Sequence, residues 1–219
     1  MNQRPGTDLA PVHVWLNPVE RDQRSAAHAL LLELAGTLLD QPPVLRHDAA
    51  GGPHVDPLWV SLSHSRHLVA VAASLSGPVG IDLEDRYPRD ITALAHRWFA
   101  PTELAWLAGQ PEELEAFLHL WTAKEAVGKA LGTGLRNAGL SREMPLPATA
   151  PASSGGLVGG IVASEPGLAL VHLPVRADAV LAVVVPATAT RVVLSEHHGA
   201  ALRSTAVSRT SFPVVVRGN

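Results

Sequence analysis

Asp82 and Glu84 stand two apart in the run Val79-Gly80-Ile81-Asp82-Leu83-Glu84. On a strand that spacing puts both carboxylates on one face of the pleat. Two carboxylates held this close repel unless a proton or a cation sits between them. Oxygen-only ligands of this kind suit Mg²⁺, which keeps waters and substrate phosphates in its shell. A second candidate is Trp121-Thr122-Ala123-Lys124-Glu125-Ala126-Val127-Gly128-Lys129. On a helix, Trp121, Glu125 and Lys129 share one stripe with Lys124 beside it. Lys124 and Lys129 are the only lysines of the chain; all the other basic residues are Arg. A lysine offers a phosphate a compact point charge, whereas arginine presents a planar fork. The third candidate is Ser61-Leu62-Ser63-His64-Ser65, where hydroxyls flank a histidine at a strand end and donors could converge on an anion.

Each motif alone has a plain alternative. Asp82 and Glu84 could be a strand end running into a solvated turn, Glu125 and Lys129 an exposed i,i+4 ion pair, and His64 an ordinary surface histidine. Other chemistries lack their residues: there is no Gly-x-x-x-x-Gly-Lys loop, no His-Glu-x-x-His and no Gly-x-Ser-x-Gly. The pair His197-His198 has no spaced partners and reads as surface.

The elements that must position these residues follow from periodicity. Val12–Leu16 reads as a strand and Ser25–Leu39, Ala- and Leu-rich without proline, as a helix. Gln41–Pro57 reads as a loop. Leu58–Ser63 and Leu68–Ser74 form a candidate hairpin, and Val79–Glu84 a third strand. Ile91–Leu107 is helical with a break at Ala100-Pro101, where Pro suits the first position of a new helix. Pro111–Leu131 carries Leu114, Phe117, Leu118 and Trp121 at helical spacing and stops at Gly132. Met144–Gly160 reads as a flexible connection, Leu168–Val175 with Ala179–Val185 as a second hairpin, and Arg191–Leu194 as a short strand. No periodicity is evident beyond Ser195. The layout predicts an α+β fold of two similar halves, each a small antiparallel sheet with a packed helix. The expected boundaries are 1–100, 101–195 and a tail, 196–219.

Composition narrows the function classes. A formal charge of −3 over 219 residues supplies no basic field for nucleic acid. The absence of cysteine excludes disulfides and thiolate metal sites and suits a cytoplasmic protein. No leader pattern opens the sequence, and its aliphatic runs are too short to span a bilayer.

Read in order, Ser63-His64-Ser65, Gly80-Ile81-Asp82-Leu83-Glu84 and Trp121 to Lys129 resemble the 4′-phosphopantetheinyl transferases, and most closely their long, surfactin-synthetase-activating type. The resemblance implies transfer of the phosphopantetheine arm of coenzyme A to a serine of an acyl or peptidyl carrier protein, releasing 3′,5′-ADP. It also implies Mg²⁺ held by Asp82, Glu84 and Glu125, with Glu125 helping to deprotonate the serine. Lys124 and Lys129 match phosphate-contacting lysines, Ser63 and His64 match residues near the phosphates, and Arg24 matches an arginine on the 3′-phosphate. The family's Gly-Lys-Pro turn is Gly51-Gly52-Pro53 in this chain, without its lysine. The long type is expected to work as a monomer. A Mg²⁺-dependent phosphohydrolase and a non-catalytic carrier-binding module are the competing readings.

Overall fold

The computed structural model describes residues 10–134, 139–147, 156–197 and 206–217. The first strand, β1 (Val12–Pro18), leads into helix α1 (Gln23–Leu38), whose N-cap Asp22 accepts the Ser25 N–H. A two-residue pair, β2 (Arg46–His47) with β3 (Pro53–His54), precedes the hairpin β4 (Trp59–His64) and β5 (Leu68–Ser74) and the strand β6 (Gly80–Asp85). Three helices follow: α2 (Thr92–Trp98), α3 (Pro101–Ala108) and α4 (Glu113–Ala130). The remaining strands are β7 (Leu157–Val162), β8 (Glu165–Leu173), β9 (Ala179–Pro186), β10 (Arg191–Glu196) and β11 (Ser208–Arg217).

Nine strands form one sheet in the order β4-β5-β1-β10-β11-β7-β8-β9-β6. Its pairings are antiparallel except β1 with β10 and β11 with β7. The sheet is rolled, and one apolar core fills its concave side with Val12, Val14, Ile81, Leu83, Leu181 and Val183. On the outer side, α1 buries Leu30, Leu31 and Leu34 against Val69, Val71 and Ala73 of β5. At the other end α4 buries Phe117, Leu120, Ala123 and Val127 against Val180, Ala182 and Val184 of β9.

The expected pair of half-sheets is not what the structure shows. β6 pairs with β9 and β1 with β10, so one sheet crosses the boundary expected near residue 100. The tail is also corrected: β11 fills the place between β10 and β7, with Phe212, Val214 and Val216 alternating onto the core. Pro213, and the apolar Val215 on the exposed face, masked that period. The connection expected at 144–160 contains β7, which Gly159 and Gly160 disguise; its part at 148–155, like His198, lies outside the described residues.

The roll brings the two ends of the sheet together. β4 and β6 share no ladder. Instead the Ser61 hydroxyl accepts the Ile81 N–H at 3.1 Å and the Ser63 hydroxyl accepts the Leu83 N–H at 3.3 Å. Two serines therefore take the role of strand carbonyls at this seam, and both are buried. Asp82 and Glu84 project from the opposite face of β6, toward α4, together with Gly80. The helix comes so close that a Cβ on Gly80 would lie 1.9 Å from the Ala126 carbonyl oxygen. Gly80→Ala is therefore expected to push α4 off β6, costing about 1–3 kcal/mol in a urea melt and carrying Glu125 and Lys129 away from Asp82. An unchanged melt would show that the contact yields without cost.

Candidate active site

The site is the groove between the outer face of β6 and the C-terminal half of α4. Asp82 is 6% exposed and anchored on one oxygen. Its Oδ1 accepts the Ser63 hydroxyl at 2.8 Å and the Lys129 ammonium at 2.7 Å. Its Oδ2 is buried with no hydrogen-bond partner. Ser63 thus receives a backbone N–H on one side and donates to a carboxylate on the other, which fixes the Asp82 rotamer.

Glu125 lies one turn before Lys129 on the same stripe. Its carboxyl pKa is pushed up to about 7, first by burial and then by the charges of Asp82 and Glu84, while Lys129 pulls in the opposite direction. A carboxylate and a half-neutral carboxyl side by side are what acid–base chemistry near neutrality requires. Glu84, at the more open end, holds Arg89 at 2.9 Å. Two side-chain cations therefore answer this strand pair, Lys129 for Asp82 and Arg89 for Glu84. The surface pair of Glu125 with Lys129 does not form.

Groups for a cation are present as a donor set rather than as a closed cage. Among the described residues no three His, Asp or Glu side chains stand in ligating geometry. The chemistry nevertheless fits Mg²⁺: the donors are all oxygen, Asp82 Oδ2 is buried and unbonded, and a cation would relieve the charge crowding that raises Glu125.

Lys129 also forms part of the wall of a cavity of about 530 Å³. The far wall is Asp48, Gly51, Gly52 and Pro53, and Ser61 and Leu62 belong to its lining. Beside Lys129 the turn Gly132-Thr133-Gly134 folds back on α4, with the Thr133 and Gly134 N–H groups on the Gly128 carbonyl at 3.0 and 2.9 Å. Gly128 is required there, because a Cβ would lie 2.2 Å from the Gly134 carbonyl oxygen.

Not every expected residue reaches the groove. Lys124 does not: it is 0% exposed, and its ammonium donates to Glu103 at 2.8 Å and to the Arg142 carbonyl. Its neighbour Glu125 faces β6, and consecutive helical residues are about 100° apart, so Lys124 faces α3 instead. Ser63 is present, but its hydroxyl is committed to Asp82 and Leu83 rather than offered to a phosphate. His64 ends β4 in an exposed position, and Arg24 is exposed on the first turn of α1 beside His28, away from the carboxylates. Glu103 was not expected at all. Its carboxylate accepts the Ala100 N–H at 2.7 Å and the Met144 N–H at 2.9 Å as well as Lys124. Its sequence signal, a glutamate at the third position of the helix that Pro101 begins, is that of an ordinary helix N-terminus.

The strand and helix that build this groove fall within one stretch that is similar to known proteins. Residues 78–155 match the family model of the 4′-phosphopantetheinyl transferase superfamily. Relatives extend the similarity. Over 140 residues the chain is 31% identical to the 4′-phosphopantetheinyl transferase HetI of Nostoc sp., covering 58% of this chain and 59% of that protein. It is 44% identical over 79 residues to the transferase AcpT of Salmonella typhi, covering 35% of this chain and 41% of AcpT. It is 45% identical over 77 residues to the transferase psf-1 of Bacillus pumilus, covering 34% of this chain and 32% of the relative. The matches thus span less than two thirds of these curated relatives. The superfamily segment contains Asp82, Glu84, Glu103, Lys124, Glu125 and Lys129, whereas Ser63 and Arg24 lie before it. No described helix is long and apolar enough to cross a membrane.

Proposed function

We propose that this chain is a 4′-phosphopantetheinyl transferase of the long type, which moves the phosphopantetheine arm of coenzyme A to a serine of an apo carrier protein and releases 3′,5′-ADP. The observation that carries this reading is the meeting of Asp82 and Glu125 with Lys129, which itself lines a cavity large enough for a nucleotide. Both walls of that cavity come from one chain, which fits action as a monomer.

A serine hydroxyl is a poor nucleophile at neutral pH and needs a base beside it. Glu125, with a pKa of about 7, takes the serine proton. The serine oxygen bonds to the phosphorus that carries the pantetheine arm, the bond from that phosphorus to the bridging pyrophosphate oxygen breaks, and 3′,5′-ADP departs. Lys129 sits where its ammonium can donate to phosphoryl oxygens as their charge grows. Asp82, Glu84 and Glu125 would hold Mg²⁺, which when bound supplies charge neutralisation on the pyrophosphate. Ser63 keeps Asp82 oriented through the reaction.

The test is mass spectrometry of several apo carrier proteins after incubation with the chain, coenzyme A and Mg²⁺. The expected product carries the phosphopantetheine increment on one serine and forms only with the acceptor present. Hydrolysis of coenzyme A without an acceptor would favour a phosphohydrolase instead, and coenzyme A binding with no turnover a carrier-binding module.

A further inference from the structure

We propose that Arg89 is the resident counter-cation of Glu84, a guanidinium that gives up its carboxylate when a divalent cation enters the groove and so sets how tightly this chain holds the ion. The inference rests on the metal reading of Asp82, Glu84 and Glu125 and adds a residue that regulates it.

Arg89 lies five residues after Glu84, in the irregular stretch between β6 and α2. Its Nη2 donates to Glu84 Oε2 at 2.9 Å and to the Asp85 carbonyl at 3.4 Å. Both hydrogen bonds come from one nitrogen, so the two-pronged grip that makes an arginine hard to dislodge from a carboxylate is not used. Water reaches the pair as well, with the Arg89 side chain 36% and the Glu84 side chain 28% exposed. A pair of this kind contributes little to the fold, and salt screens it.

The charges around it are already matched. Arg86 donates to Glu115 at 2.7 Å and lies 3.7 Å from Asp178. Asp85 accepts the Arg66 N–H at 2.9 Å, and Asp90 the Thr92 N–H at 3.0 Å. Among the described residues Glu84 is the one carboxylate that Arg89 meets, and Arg89 the one cation that meets Glu84. Asp82 differs. Lys129 and Ser63 share its Oδ1, which leaves the buried Oδ2 for an ion without any exchange.

The two carboxylates of β6 thus stand balanced by two side-chain cations before any metal arrives. A hard divalent ion needs carboxylate oxygens at about 2.0–2.1 Å. A guanidinium on the same carboxylate opposes that approach by like charge, and the half-exposed arginine is the one able to yield. The Asp85 carbonyl is a contact it can keep after Glu84 is lost. Arg89 therefore lowers the affinity for the ion and keeps the metal-free groove from carrying unbalanced charge.

The experiment is a titration of the full chain with Mn²⁺, an oxygen-seeking paramagnetic probe, following the electron paramagnetic resonance of the free ion without and with coenzyme A. Arg89→Gln is expected to bind Mn²⁺ about threefold to tenfold tighter than wild type at low salt, and the gain should shrink as salt is added. Arg89→Lys, which keeps the charge, should stay near wild type. In a Glu84→Gln background the gain from Arg89→Gln should largely disappear, because the arginine acts through that carboxylate. Metal-free urea melts of wild type and Arg89→Gln should be alike. An affinity that is unchanged or weaker in Arg89→Gln, a gain of the same size without Glu84, or a large loss in the melt overturns the exchange. Equal uptake by wild type and Arg89→Gln leaves the metal reading standing and removes only the part given to Arg89. No uptake by either chain, with or without coenzyme A, overturns the metal reading and the exchange together.

Discussion

Glu125→Gln is expected to lower phosphopantetheine transfer about 10²- to 10⁴-fold and, at the same time, to make the chain more resistant to urea above pH 7. The two effects have one cause. The Glu125 carboxyl ionises near pH 7 in the folded chain, against an ordinary value of 4.5, because it is buried beside Asp82 and Glu84. A carboxyl whose folded pKa is raised contributes stability that is complete below its unfolded pKa and is lost as pH climbs through the folded one. Between about pH 4.5 and 7 the wild type therefore loses this contribution step by step. Glutamine has no proton to lose and keeps the neutral arrangement at every pH. The urea midpoint of the variant relative to wild type should accordingly rise from pH 5 to pH 8. A gap that stays constant with pH would show that Glu125 is not held in the crowded, buried setting that makes it a base. Asp82→Asn supplies an independent check, since removal of the second-largest cause of the shift should bring Glu125 back toward ordinary acidity.

How much of this site was legible beforehand depended on the range of the signal. Asp82 and Glu84 sharing a face, and Glu125 and Lys129 sharing a stripe, follow from local periods of 2 and 3.6, and the strand and helix formed within a residue or two of expectation. Gly80 was legible only as a strand residue; that it is the point where α4 touches β6 is a tertiary fact. The seam at Ser61 and Ser63 was equally hidden, because hydroxyls at a strand end read as anion donors until the roll of the sheet sets Ile81 against Ser61, and Leu83 and Asp82 against Ser63. β11 shows the limit most plainly. Its alternation of Phe212, Val214 and Val216 is present in the sequence, but a proline at 213 argues against an interior strand, and only the pairing with β10 and β7 overrides that argument.

The two lysines were expected to do the same work and the structure separates them, which makes the second large effect. Lys124→Met should cost about 3–5 kcal/mol of stability, because it strands the Glu103 carboxylate in the core. Both side chains are 0% exposed and 2.8 Å apart, and Glu103 also ties the start of α3 to Met144, so no water can replace the ammonium. Glu103→Gln combined with Lys124→Met should recover the part of that loss due to the stranded charge, since a neutral amide can still accept the Ala100 or the Met144 N–H. Lys129→Met should do the reverse. Its side chain is 28% exposed and its Asp82 partner keeps the Ser63 hydroxyl, so the expected stability loss is about 0–1 kcal/mol. The transfer rate should nevertheless fall about 10²- to 10³-fold, the cost of removing one donor to a developing phosphoryl charge. Lys129→Arg should rescue poorly, because a planar fork does not replace a point charge held between Asp82 and the cavity. Urea melts and carrier-modification rates for these four variants decide the matter. If Lys124→Met melts like wild type and loses rate, the ammonium leaves Glu103 during turnover and serves the phosphates after all; if Lys129→Met loses rate only in proportion to lost folded protein, its place beside Asp82 has no part in catalysis.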